Sequence, residues 1–278
     1  MRHMERAAVD GLELEYEVRG SGEPVVLIHW GVGATWAEPL LDEPALASRY
    51  RLLNYHRAGF AGSTGVEGDV SVAEYAQHCR LLMRHVGIDR AHVVGHSSSA
   101  AIALQLALDC PDAVHTLVLM DPARPTPRTE LQAAFVREFV EPAVEHYRAG
   151  DKAGAVDTFF RGVFGPDFRG PLEQGLPEGF EQAVTDADTF FRQELPALQH
   201  WSFTQEHASR IAQPVLAVTG ENTAATFPER RALLLSWLPN VEPFELPAAT
   251  HLLHVQNPRG MAEGLASFYA RHTLPASS

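Results

Sequence analysis

The sequence predicts an α/β protein: a mostly parallel sheet of eight strands flanked by helices, with a helical insertion. Three observations predict it. Short apolar runs recur at 24–30, 51–55, 91–95, 115–120, 214–219 and 241–246, separated by stretches of helical period. This is the pattern of buried parallel strands joined by crossover helices. At the front, residues 5–19 alternate in polarity around Asp10-Gly11, a dipeptide that turns one strand antiparallel to the next. Between 123 and 210 the alternation of strand and helix stops, and only helical patterns divided by prolines remain.

Taken in order, Leu12, Leu14, Tyr16 and Val18 read as one face of a half-exposed edge strand. PVVLIHW at 24–30, bounded by Gly22 and Gly31, is continuously apolar and reads as a strand buried on both faces. Helices are expected at 34–48, 71–87, 98–109, 227–237 and 257–272. In the second of these Val72, Tyr75, Leu81, Leu82 and Val86 follow a period near 3.6, and Ser71 is placed to cap it. LQAAFVREFVEPAVEHYRAG (131–150) and AGAVDTFFRGVF (153–164) are the clearest helices of the insertion. The resulting organisation is a core of residues 1–122 and 211–278, with a helical cap over 123–210.

Composition narrows the function. Of 278 residues, 45% are apolar and 21% charged, values of a globular chain with a large core. The net charge of −13 argues against nucleic acid or an anionic membrane surface as partner, since both select basic patches. Lys152 is the sole lysine and sits in no motif, so Schiff-base chemistry has no evident setting. Cys79 and Cys110 lie in no Cys-x-x-Cys or Cys/His cluster and read as reduced thiols, consistent with a cytoplasmic location. The first residues carry no apolar leader-like stretch, and no run of eighteen apolar residues occurs. The expected partner is a small-molecule substrate, and a homodimer is left open.

The sharpest signal is VVGHSSSA, residues 93–100. A buried strand precedes it and a helix follows, the setting of the G-x-S-x-G nucleophile elbow. Here the motif reads Gly95-His96-Ser97-Ser98-Ser99. The turn needs small neighbours because it holds its serine in a strained conformation and brings the following helix close to the strand. Ser97 is therefore the candidate nucleophile. Ser99 stands where glycine is usual, and serine is small enough to serve.

With LIHWGVGA (27–34), YHRAGFAGS (55–63) and ATHLLHVQNP (249–258), the elbow makes the chain resemble the α/β-hydrolase superfamily over nearly its whole length. These three segments are similar to the family's oxyanion loop, its D-x-R-G-x-G-x-S segment and its histidine loop. The resemblance implies the α/β-hydrolase fold, a serine nucleophile and no cofactor. It also implies an oxyanion hole made by the backbone N–H of Ser98 and that of Gly31, with Trp30 N–H as the alternative to Gly31. His29 is read as a structural hydrogen-bonding residue, and His56, where aspartate is common, as a surface or loop-bracing histidine.

Of fourteen histidines, His251 lies after the last short strand and before the last helix, where the order serine, acid, histidine puts the base. His254, one turn later, is expected to pack. A metal reading of the pair lacks a third ligand. The acid has two candidates. The family's usual aspartate position, after the strand at 214–219, is Thr223, which cannot ionise. Glu221 lies in that turn. Asp121 ends the earlier strand in LVLMDPA, the position used by lactonases similar to the zearalenone-degrading type, and is favoured.

A serine nucleophile implies acyl transfer, so cleavage of a carboxylic ester or lactone is expected. Aromatic residues of the cap, Phe135, Phe139, Phe159, Phe160, Phe164, Phe190, Phe191, Trp201 and Phe203, together with Trp30 of the oxyanion loop, are expected to line an apolar pocket and favour a moderately hydrophobic substrate. Hydrolysis of a C–C bond or an amide by the same residues, and a small-molecule receptor of the same fold, are the alternatives.

Overall fold

A computed structural model describes residues 4–123 and 129–275. Its centre is one eight-stranded sheet. The strands are β1 (Glu5–Val9), β2 (Leu12–Arg19), β3 (Glu23–Ile28), β4 (Tyr50–Tyr55), β5 (Ala91–His96), β6 (Val114–Met120), β7 (Val215–Gly220) and β8 (Val241–Leu246). Their spatial order is β1-β2-β4-β3-β5-β6-β7-β8. The β1–β2 and β2–β4 pairs are antiparallel and all others parallel. Asp10 takes the left-handed turn between β1 and β2 with φ 51°.

Burial follows the predicted pattern. Every residue of β5 and β7 is buried, because helices cover both sheet faces, whereas β1 buries only alternate residues at the edge. Helix α1 (Val72–His85) begins at Ser71, whose side chain accepts from Glu74 N while Glu74 returns a bond to Ser71 N, a reciprocal cap. Helix α2 (Ser99–Asp109) follows β5 directly and buries eight of its eleven residues. The expected helix at 34–48 is instead two single turns, Glu38–Leu41 and Pro44–Ala47. Pro39 and Pro44 each remove a backbone donor and fit only the first turn of a helix.

Between β6 and β7 the described residues from Glu130 to Ser209 are helical or looped, with no strand. The start of the expected cap, 124–128, lies outside the described residues. Helix α3 (Lys152–Phe164) is the longest of this region. Two segments, Val136–Val140 and Phe190–Glu194, are wound as π-helix, which periodicity does not reveal. A second hydrophobic cluster joins this region to the loop after β3: Trp30 and Trp36 pack among Phe159, Phe160, Phe164 and Phe190. Helix α4 (Thr226–Trp237) packs Leu234 into the cluster on one sheet face, and α5 (Pro258–Arg271) packs Met261, Leu265 and Tyr269 into the cluster on the other. No helix among the described residues is long and apolar enough to cross a membrane.

Candidate active site

Ser97 sits at the carboxyl end of β5 with φ 52°, in the left-handed region that a side-chain-bearing residue adopts at a cost. The surrounding bonds hold it there. Ser97 N donates to Met120 O at 2.9 Å, and Ser97 O accepts from Ala123 N at 2.9 Å, so the elbow is clamped to the end of β6. Gly95 cannot be replaced, since a Cβ there would stand 2.5 Å from Ser99 O and 2.8 Å from Ala100 Cα. Ser99 is fully buried and its hydroxyl is absorbed: it accepts from His96 N at 2.8 Å and reaches Ile28 O at 2.7 Å. This tie between β3 and β5 explains why serine fits where glycine is usual.

Asp121, the first residue past β6, is fully buried and has φ 38°. Its carboxylate gathers three partners. Thr219 Oγ1 donates to Oδ1 at 2.6 Å, Thr223 Oγ1 donates to Oδ2 at 3.0 Å, and His251 Nδ1 lies 3.1 Å from Oδ2. Thr223, at the family's usual aspartate position, thus supplies a hydroxyl to an acid from another strand. Glu221 is exposed and accepts from Ala248 N at 2.7 Å, bracing its own turn. The structure therefore brings Asp121 to His251 and does not bring Glu221.

His251 is fully buried within aromatic rings. Phe227 stacks on it at 3.9 Å, His96 lies at 4.6 Å, Phe164 at 5.8 Å and Trp30 at 6.2 Å between centroids. Burial lowers the imidazole's basicity, and the hydrogen bond and charge of Asp121 oppose that lowering. With Nδ1 committed to the carboxylate, Nε2 has no hydrogen-bond partner among the described residues. No hydrogen bond joins it to Ser97. In unliganded sites such contacts are commonly long and tighten on the substrate.

Ser97 and Ser98 open on a cavity of about 100 Å³. Of the ten aromatic residues expected to line it, Trp30, Phe135, Phe159 and Phe190 do. The other six are corrected. Phe164 packs edge-on against Trp30 with ring centroids 5.3 Å apart, and Phe203 stacks on Trp201 at 5.7 Å. Phe160 stands behind Trp30, with ring centroids 5.7 Å apart. Phe139 packs against Gly162, and Phe191 stacks on Tyr147 at 5.0 Å. Trp201 donates to Gln105 Oε1 and borders a separate groove with Ser71 and Gln193. The two π segments explain part of this, since the extra residue in each turn shifts which side chains face inward. They present Val136, Val140 and Phe190 to the cavity. Phe227 and Arg230 also line it and were not singled out from sequence.

The backbone N–H of Gly31, the expected oxyanion donor, is engaged by a side chain. Gly31 N donates to Ser98 Oγ at 2.9 Å, because the Ser98 side chain reaches back across the loop. The backbone N–H groups of Ser98 and Trp30 donate to no described residue, and both residues line the cavity. A Cβ on Gly33 would meet the Trp30 indole nitrogen at 2.5 Å, so glycine there lets the indole fold back onto its own loop.

The other three histidines singled out from the sequence, His29, His56 and His254, are held in structural hydrogen bonds. His29 Nε2 accepts from Arg57 N at 3.0 Å, and its Nδ1 lies 3.2 Å from Trp30 O, an arrangement that uses the neutral ring. His56 is buried and its Nδ1 meets Glu15 Oε2 at 3.0 Å, while Glu15 also accepts from Gly62 N. It braces the loop after β4. His254 Nε2 donates to Trp36 O at 2.7 Å. Among the described residues no group of three His, Cys, Asp or Glu side chains is placed to hold a metal ion.

Residues 25–263 match the alpha/beta hydrolase family, and the chain belongs to that family. RutD of Klebsiella pneumoniae (strain 342), named as a proposed carbamate hydrolase, is 39% identical over 101 residues, which cover 36% of this chain and 38% of that protein. The chain spans less than half the length of such curated relatives. The enol-lactonase from Burkholderia xenovorans LB400 superposes with a TM-score of 0.82 at 20% identity, covering 96% of this chain and 100% of that one. A thermophilic esterase from Thermogutta terrifontis gives 0.80 at 18% identity, covering 98% and 100%. At these identities the two structures show the shared fold alone.

Proposed function

We propose that the chain is a serine hydrolase that cleaves a carboxylic ester or lactone of a small, moderately hydrophobic molecule through an acyl-enzyme. The observation that carries this is the buried pairing of Asp121 with His251 beside a serine on a strained elbow, at the wall of an apolar cavity. The carboxylate fixes the imidazole tautomer, leaving Nε2 as the base. His251 takes the Ser97 proton as Oγ attacks the carbonyl, and the oxyanion rests on the N–H groups of Ser98 and Trp30. The Gly31 N–H contributes through the Ser98 hydroxyl that it polarises. His251 then protonates the leaving alcohol, and water repeats the cycle in reverse to release the acid.

The names of the B. xenovorans and T. terrifontis proteins support an ester or lactone. The name of the K. pneumoniae relative favours a second reading, a carbamate substrate, which the same attack on a carbonyl would serve. The test is a fluorophosphonate incubation followed by intact mass, with Ser97→Ala alongside, then an ester, lactone and carbamate panel. One adduct that Ser97→Ala abolishes supports the reading. No adduct on the folded protein overturns it. Faster turnover of carbamates than of any ester would transfer the assignment to that class.

A further inference from the structure

Ser98 turns its side chain away from the helix that it begins. It is the N-cap of α2, where a serine hydroxyl ordinarily accepts an N–H from the first helical turn. Here it makes no such bond. Its Oγ accepts from Gly31 N at 2.9 Å instead. The N–H expected to face a substrate oxygen is thereby covered by an oxygen that carries a proton of its own. A hydroxyl can donate while it accepts, and among the described residues nothing accepts the Ser98 proton. Ser98 is 4% exposed, and with Ser97 and Trp30 it lines the cavity. The cavity is therefore where that proton meets an acceptor.

We propose that Ser98 is a catalytic residue through its side chain: its hydroxyl donates directly to the oxyanion, as a third donor beside the N–H groups of Ser98 and Trp30. This rests on the serine hydrolase reading, in which the hydroxyl only passes on the pull of Gly31; here it touches the reacting oxygen. A donor serves an oxyanion best when it stands in place before the charge develops. The Gly31 N–H supplies that placement by fixing the Ser98 rotamer, so little further side-chain freedom is lost when the second bond forms. An O–H that accepts from an N–H is also the better donor, because hydrogen bonds in a chain polarise one another. Its bond to an ionised oxygen is shorter and stronger than one to a neutral carbonyl, so the gain falls on the tetrahedral intermediate rather than on the bound substrate. The opposite reading makes Ser98 Oγ a block that keeps the substrate oxygen off Gly31 N. Removing the hydroxyl separates the two, since it takes a donor away in the first case and frees one in the second.

The probe is 1,1,1-trifluoro-4-phenylbutan-2-one. Ser97 Oγ adds to its carbonyl carbon, the Ser97 proton passes to His251 Nε2, and the former carbonyl oxygen becomes an oxyanion. The matching alcohol, 1,1,1-trifluoro-4-phenylbutan-2-ol, cannot add and reports on packing alone. Dissociation constants of both are measured by fluorine NMR on the unaltered protein, Ser98→Ala and Ser98→Cys. Ser98→Ala should bind the ketone roughly 10- to 100-fold more weakly, the range for losing a hydrogen bond to a charged group. It should bind the alcohol within about twofold of the unaltered protein, since the lost bond exists only in the adduct. Ser98→Cys, whose thiol is a weak donor, should fall between. In turnover of 4-nitrophenyl butyrate, Ser98→Ala should lower kcat by a similar factor with KM nearly unchanged, as for an interaction made only in the transition state. Ketone binding or kcat in Ser98→Ala equal to or above that of the unaltered protein overturns the proposal and makes the hydroxyl a block on Gly31. Equal weakening of ketone and alcohol overturns it as well, as a change in packing. Should Ser98→Ala not fold, Ser98→Cys decides, and unchanged ketone binding there overturns the proposal. An unaltered protein that forms no adduct with the ketone or with fluorophosphonate sinks the hydrolase reading and this proposal with it, whereas adducts that Ser98→Ala leaves equally tight sink this proposal alone.

Discussion

The Phe227 ring lies flat against the His251 imidazole, with centroids 3.9 Å apart and planes 17° from parallel. One bond to Asp121 fixes the imidazole's Nδ1, but a single hydrogen bond leaves the ring free to rock about it. Phe227 removes that freedom from one face. Aromatic pairs contribute about 0.5–1.5 kcal/mol beyond area burial. Phe227→Leu should therefore lower kcat for an ester substrate roughly tenfold while the thermal midpoint moves little. Steady-state kinetics beside a melting curve checks this, and an unchanged kcat would mean that Asp121 alone orients the base.

The acid assignment separates cleanly by mutation. Asp121→Asn should cut kcat by roughly 10⁴-fold, the scale of a wrong tautomer in such a triad, with circular dichroism unchanged. Glu221→Gln, which disturbs only the turn at Ala248, should leave kcat within about twofold by the same tautomer argument. Thr219→Val removes the 2.6 Å donor to Asp121 and should cost roughly tenfold, as for a hydrogen bond to a charged group. A large loss in Glu221→Gln with a mild one in Asp121→Asn would reverse the assignment.

Two pH effects follow from the buried imidazoles. Burial holds His251 below its ordinary value of 6.5, so the acidic limb of kcat/KM should fall below pH 6.5, where the base becomes protonated. Stability moves in the same direction. His29 and His96 are held well below 6.5 by burial, and His254 is lowered to about 4. Below pH 6.5 the unfolded chain binds protons that the folded chain refuses, so stability is lost as pH falls from 6.5 toward about 4. Urea midpoints at pH 7.5, 6 and 5 should decrease in that order. A flat series would show that these rings are not neutral in the folded state.

Arg57 and Glu194 form an ion pair at 2.8 Å with side chains 1% and 2% exposed. It joins the loop after β4 to the π segment of the helical region, and Arg57 also donates to His29 O and Gly31 O. Breaking a buried pair from one side typically costs about 3–5 kcal/mol. Glu194→Gln should show a loss near the lower end, because glutamine keeps an acceptor, and Glu194→Ala the larger one, by urea denaturation. The pair Arg57→Met with Glu194→Leu should recover part of the loss, since it strands no charge.

Much of this molecule could be read from the sequence because the parallel strands are buried on both faces and announce themselves as apolar runs. The elbow was legible for a local reason: strand, tight turn and helix lie within eight residues. Asp121 was harder, since its partners Thr219, Thr223 and His251 come from distant segments, and it was reached through Thr223's inability to ionise and the place of Asp121 at the end of the earlier strand. The pocket wall was the least legible part. Which aromatic faces inward depends on two π turns, and neither Phe227 nor Arg230 belongs to a pattern that sequence alone marks. Ser98's capture of the Gly31 N–H is a side-chain rotamer, to which no motif speaks.

The two π segments carry a consequence for how this site can change over time. An α-helix turns by about 100° for each residue added or removed, and a π turn is an α-helix with one residue more than its neighbours need. Deleting a single codon from Val136–Val140 or Phe190–Glu194 would let that stretch relax to regular helix with its hydrogen bonds intact. The side chains beyond it would swing by about a quarter turn. Phe139 or Phe191, now packed away from Ser97, would then compete for the cavity wall. The helical cover thus holds two places where one short deletion redraws substrate choice while the sheet, the elbow and the Asp121–His251 pair stay untouched.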